Sequence, residues 1–174
     1  MTGWRIRDAR GSDRDAIEAV TLSAYQQYAA MMPALWEGYR QNIVATLAAA
    51  QPEAQIVAEE DGRIAGSVLL YPTGTVIARP GGGSLTLASP EVRLLAVAPS
   101  ARGRGLGAAL MDECVRRARD SGAQALTLHT TDIMQPAMRL YERMGFQRAP
   151  ELDFQPASGV IIKGYRLALE EMAG

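Results

Sequence analysis

The stretch Glu91-Val-Arg-Leu-Leu-Ala-Val-Ala-Pro-Ser-Ala-Arg102-Gly103-Arg104-Gly105-Leu106-Gly107-Ala-Ala-Leu110 decides the fold. Glu91–Val97 reads as an apolar strand that ends before Pro99. Glycines at 103, 105 and 107 follow, and then a helix. Its apolar stripe is Leu106, Leu110, Met111, Cys114, Val115 and Ala118; its outer face is Asp112, Glu113, Arg116, Arg117 and Arg119. Ser121-Gly122 ends it, with glycine as the cap. The first turn of a helix carries backbone N–H groups without partners and a partial positive charge. Glycines let an anion approach those groups with no Cβ in the way. With Arg102 and Arg104 alongside, the loop reads as a phosphate or pyrophosphate cradle.

Other glycine loops fit less well. A nucleotide-hydrolysing loop needs Gly-Lys-Ser/Thr, and here Leu106-Gly107 follows Gly105. Gly103, Gly105 and Ala108 match a dinucleotide fingerprint formally. That fingerprint wants its glycines on the strand end and an acid about 20 residues later. Ala98–Arg102 intervene, and no acid ends the next strand before Asp132. A glycine-softened turn that packs a helix on a sheet is the plain alternative.

Outward from this stretch, Trp4–Asp8 is strand-like, with Trp4, Ile6 and Asp8 opposite Arg5 and Arg7. Ser12 begins a helix with Asp15 three residues on, close to a capping box; Ile17, Val20, Ala24 and Tyr28 follow at helical spacing. Pro33 starts a second helix lined by Trp36, Tyr39, Ile43 and Leu47. Gln55–Glu60 and Ile64–Tyr71 form a hairpin about Asp61-Gly62. Residues 73–90, with Pro80 and Gly81-Gly82-Gly83, form an excursion that can hold a small hairpin. Ala125–His129 is a buried strand, and Pro136–Met144 a helix stopped at Gly145. Final strands are expected near Phe146–Phe154 and Val160–Leu169. The order is mixed α/β, with no repeat or linker, and residues 1–174 are expected to form a single domain.

Composition excludes several classes. The chain has 174 residues, 48% hydrophobic and 21% charged, which suits one globular domain. A net charge of −1 gives no global basic field for nucleic acid. One cysteine and one histidine exclude an internal disulfide, a four-cysteine zinc site and a His-rich metal centre, so no metal is expected. No membrane-length apolar run and no signal-type core appear, so the expectation is a soluble, cytoplasmic protein with no membrane partner. Cys114, on an apolar stripe, reads as core and not as a nucleophile.

Two segments together resemble a known family. Arg102, Gly105 and Gly107 fill the Arg/Gln-x-x-Gly-x-Gly/Ala motif by which GNAT N-acetyltransferases bind acetyl-CoA. Ala137-Met-Arg-Leu-Tyr141-Glu-Arg-Met-Gly145-Phe146 looks like the family's Leu-Tyr-Glu-x-x-Gly-Phe helix at the expected distance. The detailed match covers about a third of the chain, and the element order looks like the whole fold. The resemblance implies an α/β (α+β mixed) GNAT fold: a central, mixed, mostly antiparallel sheet flanked by about four helices. In it the strand ending at Val97 splays from the next strand.

The resemblance also implies an acetyl-CoA-dependent N-acetyltransferase in which a primary amine attacks the thioester directly. Leu95, Ala96 and Val97 would supply backbone groups to the pantetheine arm, with the Leu95 N–H as oxyanion donor. The N–H groups of Arg102, Gly103, Arg104, Gly105, Leu106, Gly107 and Ala108 would cradle the CoA pyrophosphate. Tyr141 matches the general acid that protonates the leaving thiolate. Glu91 matches the position of a glutamate base in several members, and His129 is its rival. Many relatives carry Asn seven residues before the tyrosine, where this chain has Met134. Tyr28, Met32 and Trp36 fall where the family lines its acceptor pocket, although helical core packing explains them as well. The acceptor expected is a small-molecule or peptide amine, and a homodimer through the C-terminal strands is expected by resemblance. The competing reading is a GNAT-fold acyl-CoA-binding or sensing module with little turnover; a third is a transferase of longer acyl groups.

Overall fold

Alternation and turn chemistry place the first three strands. In the computed structural model, which describes residues 3–78, 82–155 and 160–170, β1 is Trp4–Asp8, β2 is Gln55–Glu60 and β3 is Arg63–Tyr71. The β2–β3 turn puts Asp61 at φ 50° and Gly62 at φ 74°, the left-handed pair that a two-residue hairpin demands. Register is antiparallel throughout, from Trp4↔Glu60 to Asp8↔Ile56 and from Gln55↔Leu69 to Glu60↔Arg63. Two strands of a separate small sheet, β4 (Val76–Ala78) and β5 (Ser84–Thr86), make the hairpin expected in the 73–90 excursion. Pro80 and Gly81 of that excursion, like Met1 and Thr2, lie outside the described residues. The remaining strands are β6 (Glu91–Val97), β7 (Ala125–Thr130), β8 (Gln147–Arg148) and β9 (Lys163–Ala168). The helices are α1 (Arg14–Tyr25), α2 (Trp36–Ala49), α3 (Leu106–Asp120) and α4 (Gln135–Arg143).

By their contacts the residues group into two units: those up to Leu70 with Leu94–Glu113, and Tyr71–Arg93 with Cys114 onward. In the first unit the strand order is β1-β2-β3, followed by β6 from Leu94. Its core holds Ile17, Ile43, Leu47, Ile56, Val57, Val68, Leu69, Leu106 and Leu110. Gly66 in β3 lies so close to its neighbours that a Cβ would meet the Ala96 carbonyl at 2.9 Å and Leu106 Cδ2 at 3.0 Å. In the second unit the order is β6-β7-β9-β8. There β6 and β7 pair in parallel at Glu91↔Thr127 and Val92↔Leu128, while β7 and β9 pair antiparallel from Ala125↔Ala168 to Thr130↔Lys163. The result is the mixed, mostly antiparallel α/β architecture that the sequence implied.

Three local expectations differ from the structure. Asp13, not Asp15, closes the 3-10 turn Gly11–Asp13 that leads into α1: its carboxylate accepts the Arg10 N–H at 2.7 Å and two hydrogen bonds from Arg7. Pro33 opens a turn and not a helix; Leu35 and Trp36 both donate to the Met32 carbonyl, and the regular ladder begins at Trp36. The expected strand over Phe146–Phe154 shrinks to β8 and a Phe154↔Ile162 bridge. Pro150 begins a 3-10 turn there, and a proline has no N–H for a ladder. No helix among the described residues is long and apolar enough to cross a membrane.

Candidate active site

The glycine loop is built by backbone conformation. After β6, Pro99–Ala101 makes one 3-10 turn, and Gly103 (φ 75°) and Gly105 (φ 84°) take the left-handed conformations that side chains resist. A Cβ at either would meet nothing within 4 Å, so the loop is open where an anion would approach. Buried Leu106 fixes the start of α3 in the core, and the Ala109 N–H already bonds the Gly105 carbonyl. The N–H groups of Leu106, Gly107 and Ala108 therefore have no acceptor within the helix. These residues fit a pyrophosphate, and they fit it through backbone.

Both loop arginines have protein partners. Arg102 Nη2 donates to the Ala24 carbonyl in the last turn of α1 at 3.1 Å. Arg104 makes a forked pair with Glu60, at 2.9 and 2.7 Å, and lies over the Trp4 ring. That pair holds the Glu60 carboxyl below its ordinary range. The two side chains thus pin the loop to α1, β1 and β2. Leu95 and Val97 are half-buried and Ala96 is buried. Leu94, immediately before them, has φ 51°, a left-handed residue inside a strand. That conformation costs roughly 1–2 kcal/mol for an L-residue and re-aims the strand after it.

A second set of groups lies in the other unit. Glu91 is only 2% exposed, in contrast to a solvated strand end. Its Oε1 lies 2.9 Å from His129 Nδ1, and its Oε2 accepts the Arg93 Nε–H at 2.8 Å. Strand register explains the first contact: Glu91 pairs with Thr127, and His129 is two residues further on the same face of β7. His129 Nε2 lies 2.9 Å from the Leu152 carbonyl, and Phe154 packs edge-on against the ring. A carbonyl can only accept, so Nε2 carries a proton, and Nδ1 faces the Glu91 carboxylate at ion-pair distance. The neighbouring carboxylate favours the protonated ring. Burial alone would lower its pKa, but the bond and charge of Glu91 outweigh that and raise it. For Glu91, burial pushes the carboxyl up, and His129 with Arg93 more than reverses this and holds it down.

Tyr141 lies on α4, 7% exposed, with its ring 5.9 Å from that of Phe146. Met134, at the asparagine position of many relatives, is buried just before α4. Cys114 is fully buried in α3. Tyr28, Met32 and Trp36 belong to the first unit, where rings meet edge-on or tilted: Tyr25–Tyr28 at 5.9 Å, Tyr25–Tyr39 at 6.1 Å and Trp36–Tyr39 at 6.2 Å. Burial raises the Tyr28 and Tyr39 phenols. Met31, by contrast, is 63% exposed. The rings pack on each other. Sequence reasoning missed Arg93 and Tyr71, whose ring the Arg93 guanidinium covers at 5.7 Å. The strand alternation that places Arg93 beside Glu91 was available as a signal.

The chain belongs to the acetyltransferase (GNAT) family, whose family model matches residues 21–146. Among curated relatives, the mycothiol acetyltransferase of Thermomonospora curvata is 43% identical over 58 residues, 33% of this chain and 20% of that protein. The streptothricin acetyltransferase of Streptomyces lavendulae is 46% identical over 50 residues, 29% of this chain and 26% of that one. The chain therefore spans about a fifth to a quarter of the length of these relatives. Among solved structures, yncA from Salmonella typhimurium with its cofactor acetyl-CoA superposes with a TM-score of 0.66 at 22% identity, over 99% of this chain and 98% of that one.

Proposed function

We propose that the protein is an acetyl-CoA-dependent N-acetyltransferase that moves an acetyl group to a primary amine by direct attack on the thioester. The observation that carries this is the open loop with left-handed Gly103 and Gly105, which presents the first-turn N–H groups of α3. The thioester supplies an activated acyl carbon and a thiolate leaving group. The backbone from Gly103 to Ala108 holds the pyrophosphate, with the loop kept in place by Arg102 and Arg104. The Leu95 N–H, re-aimed by Leu94, stabilises the oxyanion; a preorganised donor of this kind is worth about 3–4 kcal/mol. Ala96 and Val97 continue the strand along the pantetheine arm.

Three proton transfers remain: one off the ammonium before attack, one to the leaving thiolate, and one from the acylated nitrogen that restores the Tyr141 phenol. Tyr141 donates to the leaving thiolate; with a phenol near pKa 10 and a thiol near 8.5, the step is uphill by about 2 kcal/mol before the site helps. The attacking amine must be neutral, and at pH 7 an ordinary lysine-like amine costs about 4.6 kcal/mol to deprotonate. Glu91 is the carboxylate that takes this proton. The acceptor is a small molecule or a peptide; the names of the mycothiol and streptothricin acetyltransferases support the former. Residues 1–174 act as one domain and pair as a homodimer, and the work is cytoplasmic; the lone cysteine leaves no disulfide to require an oxidising compartment.

The test is thiol release from acetyl-CoA with a panel of amino acids, short peptides, polyamines and aminoglycosides. Amine-dependent release that falls about 10²–10⁴-fold in Tyr141→Phe is the expected result. One observation favours a second reading, an acyl-CoA-binding module with little turnover: both Glu91 oxygens already have cationic partners, which weakens the carboxylate as a base. Tight acetyl-CoA binding with no release across the panel would establish that reading instead.

A further inference from the structure

Arg93 presents a guanidinium fixed from two sides. Its Nε donates to Glu91, and its plane lies over the Tyr71 ring. Arg93 and Glu91 are two apart on β6, on one face of the strand, and all three residues belong to the same unit. Arginine has five N–H donors in a planar fork. The Nε uses one; the Nη groups have no protein acceptor among the described residues, and the side chain is 31% exposed. Around it one carboxylate, Glu91, is shared by the Arg93 guanidinium and the His129 ring. The cluster offers a preorganised fork.

We propose that Arg93 anchors a carboxylate of the acceptor, so that the amines acetylated are zwitterions of the amino-acid class. This rests on the transferase reading above. A carboxylate takes the Nη fork with two parallel hydrogen bonds. The ammonium of the same molecule is drawn to Glu91, the group assigned to its deprotonation. A polyamine and a simple amine both leave the fork unused, since neither carries a carboxylate. Because Tyr71 and Glu91 already hold the guanidinium, little rotamer freedom is lost on binding.

The experiment uses the full-length protein and each proteinogenic L-amino acid beside its carboxamide, with spermidine as the cationic control. Acetyl-CoA-dependent thiol release gives kcat/KM for each. The acid of the preferred pair should exceed its amide about 10–100-fold, the value of one charged hydrogen-bonded contact. That ratio should fall toward one in Arg93→Gln and recover in part in Arg93→Lys, which also serves if the glutamine variant does not fold. A role confined to holding Glu91 would lower acid and amide alike and leave the ratio unchanged. In parallel, calorimetry with CoA and the N-acetylated acids and amides reads binding without turnover. Spermidine or amides outpacing every acid, an unchanged ratio in both variants, or no acid binding or reacting overturns the proposal. Acids that bind through Arg93 with no acetylation of any amine would instead retire the transferase reading and leave the anchor.

Discussion

Glu91 and His129 each shift because of the other, and their signs fix a pH window for stability. The Glu91 carboxyl is held below its ordinary 4.5, so its contribution is complete above pH 4.5 and is lost as pH falls through its lower native value. The His129 imidazole is raised above 6.5, so its contribution is complete below pH 6.5 and is lost as pH rises through its higher native value. Thermal unfolding followed by circular dichroism should therefore show Tm declining above pH 6.5 in the wild type. His129→Gln should flatten that alkaline decline; an equal slope in both proteins would remove the imidazolium from the account. Leu94 offers a second residue-scale outcome. Its φ of 51° is costly for any branched side chain, so Leu94→Ile should destabilise by about 1–3 kcal/mol in urea melts. Leu94→Gly relieves the backbone and should cost less than Leu94→Ile. The position of Glu91 was legible from its place at a strand start. Its two cationic partners were not, because they depend on which residue of β7 lies opposite it.

Elements were most legible where their ends carry strong chemistry. Pro99, the paired glycines and Gly122 bracket β6 and α3, and both match the sequence reading. The β2–β3 hairpin was equally legible from Asp61-Gly62. Legibility failed where a polar residue or proline has more than one use. Asp13 could not be distinguished from Asp15 without knowing that Arg7 would meet it, and Pro33 serves a turn as well as it serves a helix start. The close approach at Gly66 was also hidden, since an interior strand glycine has several explanations. It yields an element-scale prediction. In Gly66→Ala the new methyl would press on the Ala96 carbonyl, a backbone atom that cannot rotate away. The variant should lose about 1–3 kcal/mol in chemical denaturation. Wild-type stability in that variant would mean that β3 and β6 can part at little cost.

At the scale of the whole molecule, acid sensitivity comes from carboxylates tied to arginines five and six residues away in sequence. Asp153 accepts a fork from Arg148 and the Gly164 N–H, and its carboxyl is lowered to about 2. Asp13 is lowered chiefly by its bonds from Arg7. Their contributions are complete above about pH 3.8, the ordinary value, and fade as pH falls toward about 2 for Asp153. Paired Asp13→Asn and Asp153→Asn changes should lower Tm at pH 6 and narrow the gap to wild type near pH 2. A gap that stays constant with pH would assign the loss to packing. These pairs form across a turn, and the path of the turn decides which charges meet, so spacing alone does not announce them. The buried thiol has a practical meaning as well. Cys114 is the chain's only cysteine and is fully enclosed in α3, so a colorimetric thiol reagent should count released CoA over a protein blank near zero. The same reagent, with acetyl-CoA omitted, would turn colour only when the molecule opens, and a single flask could then report both catalysis and integrity.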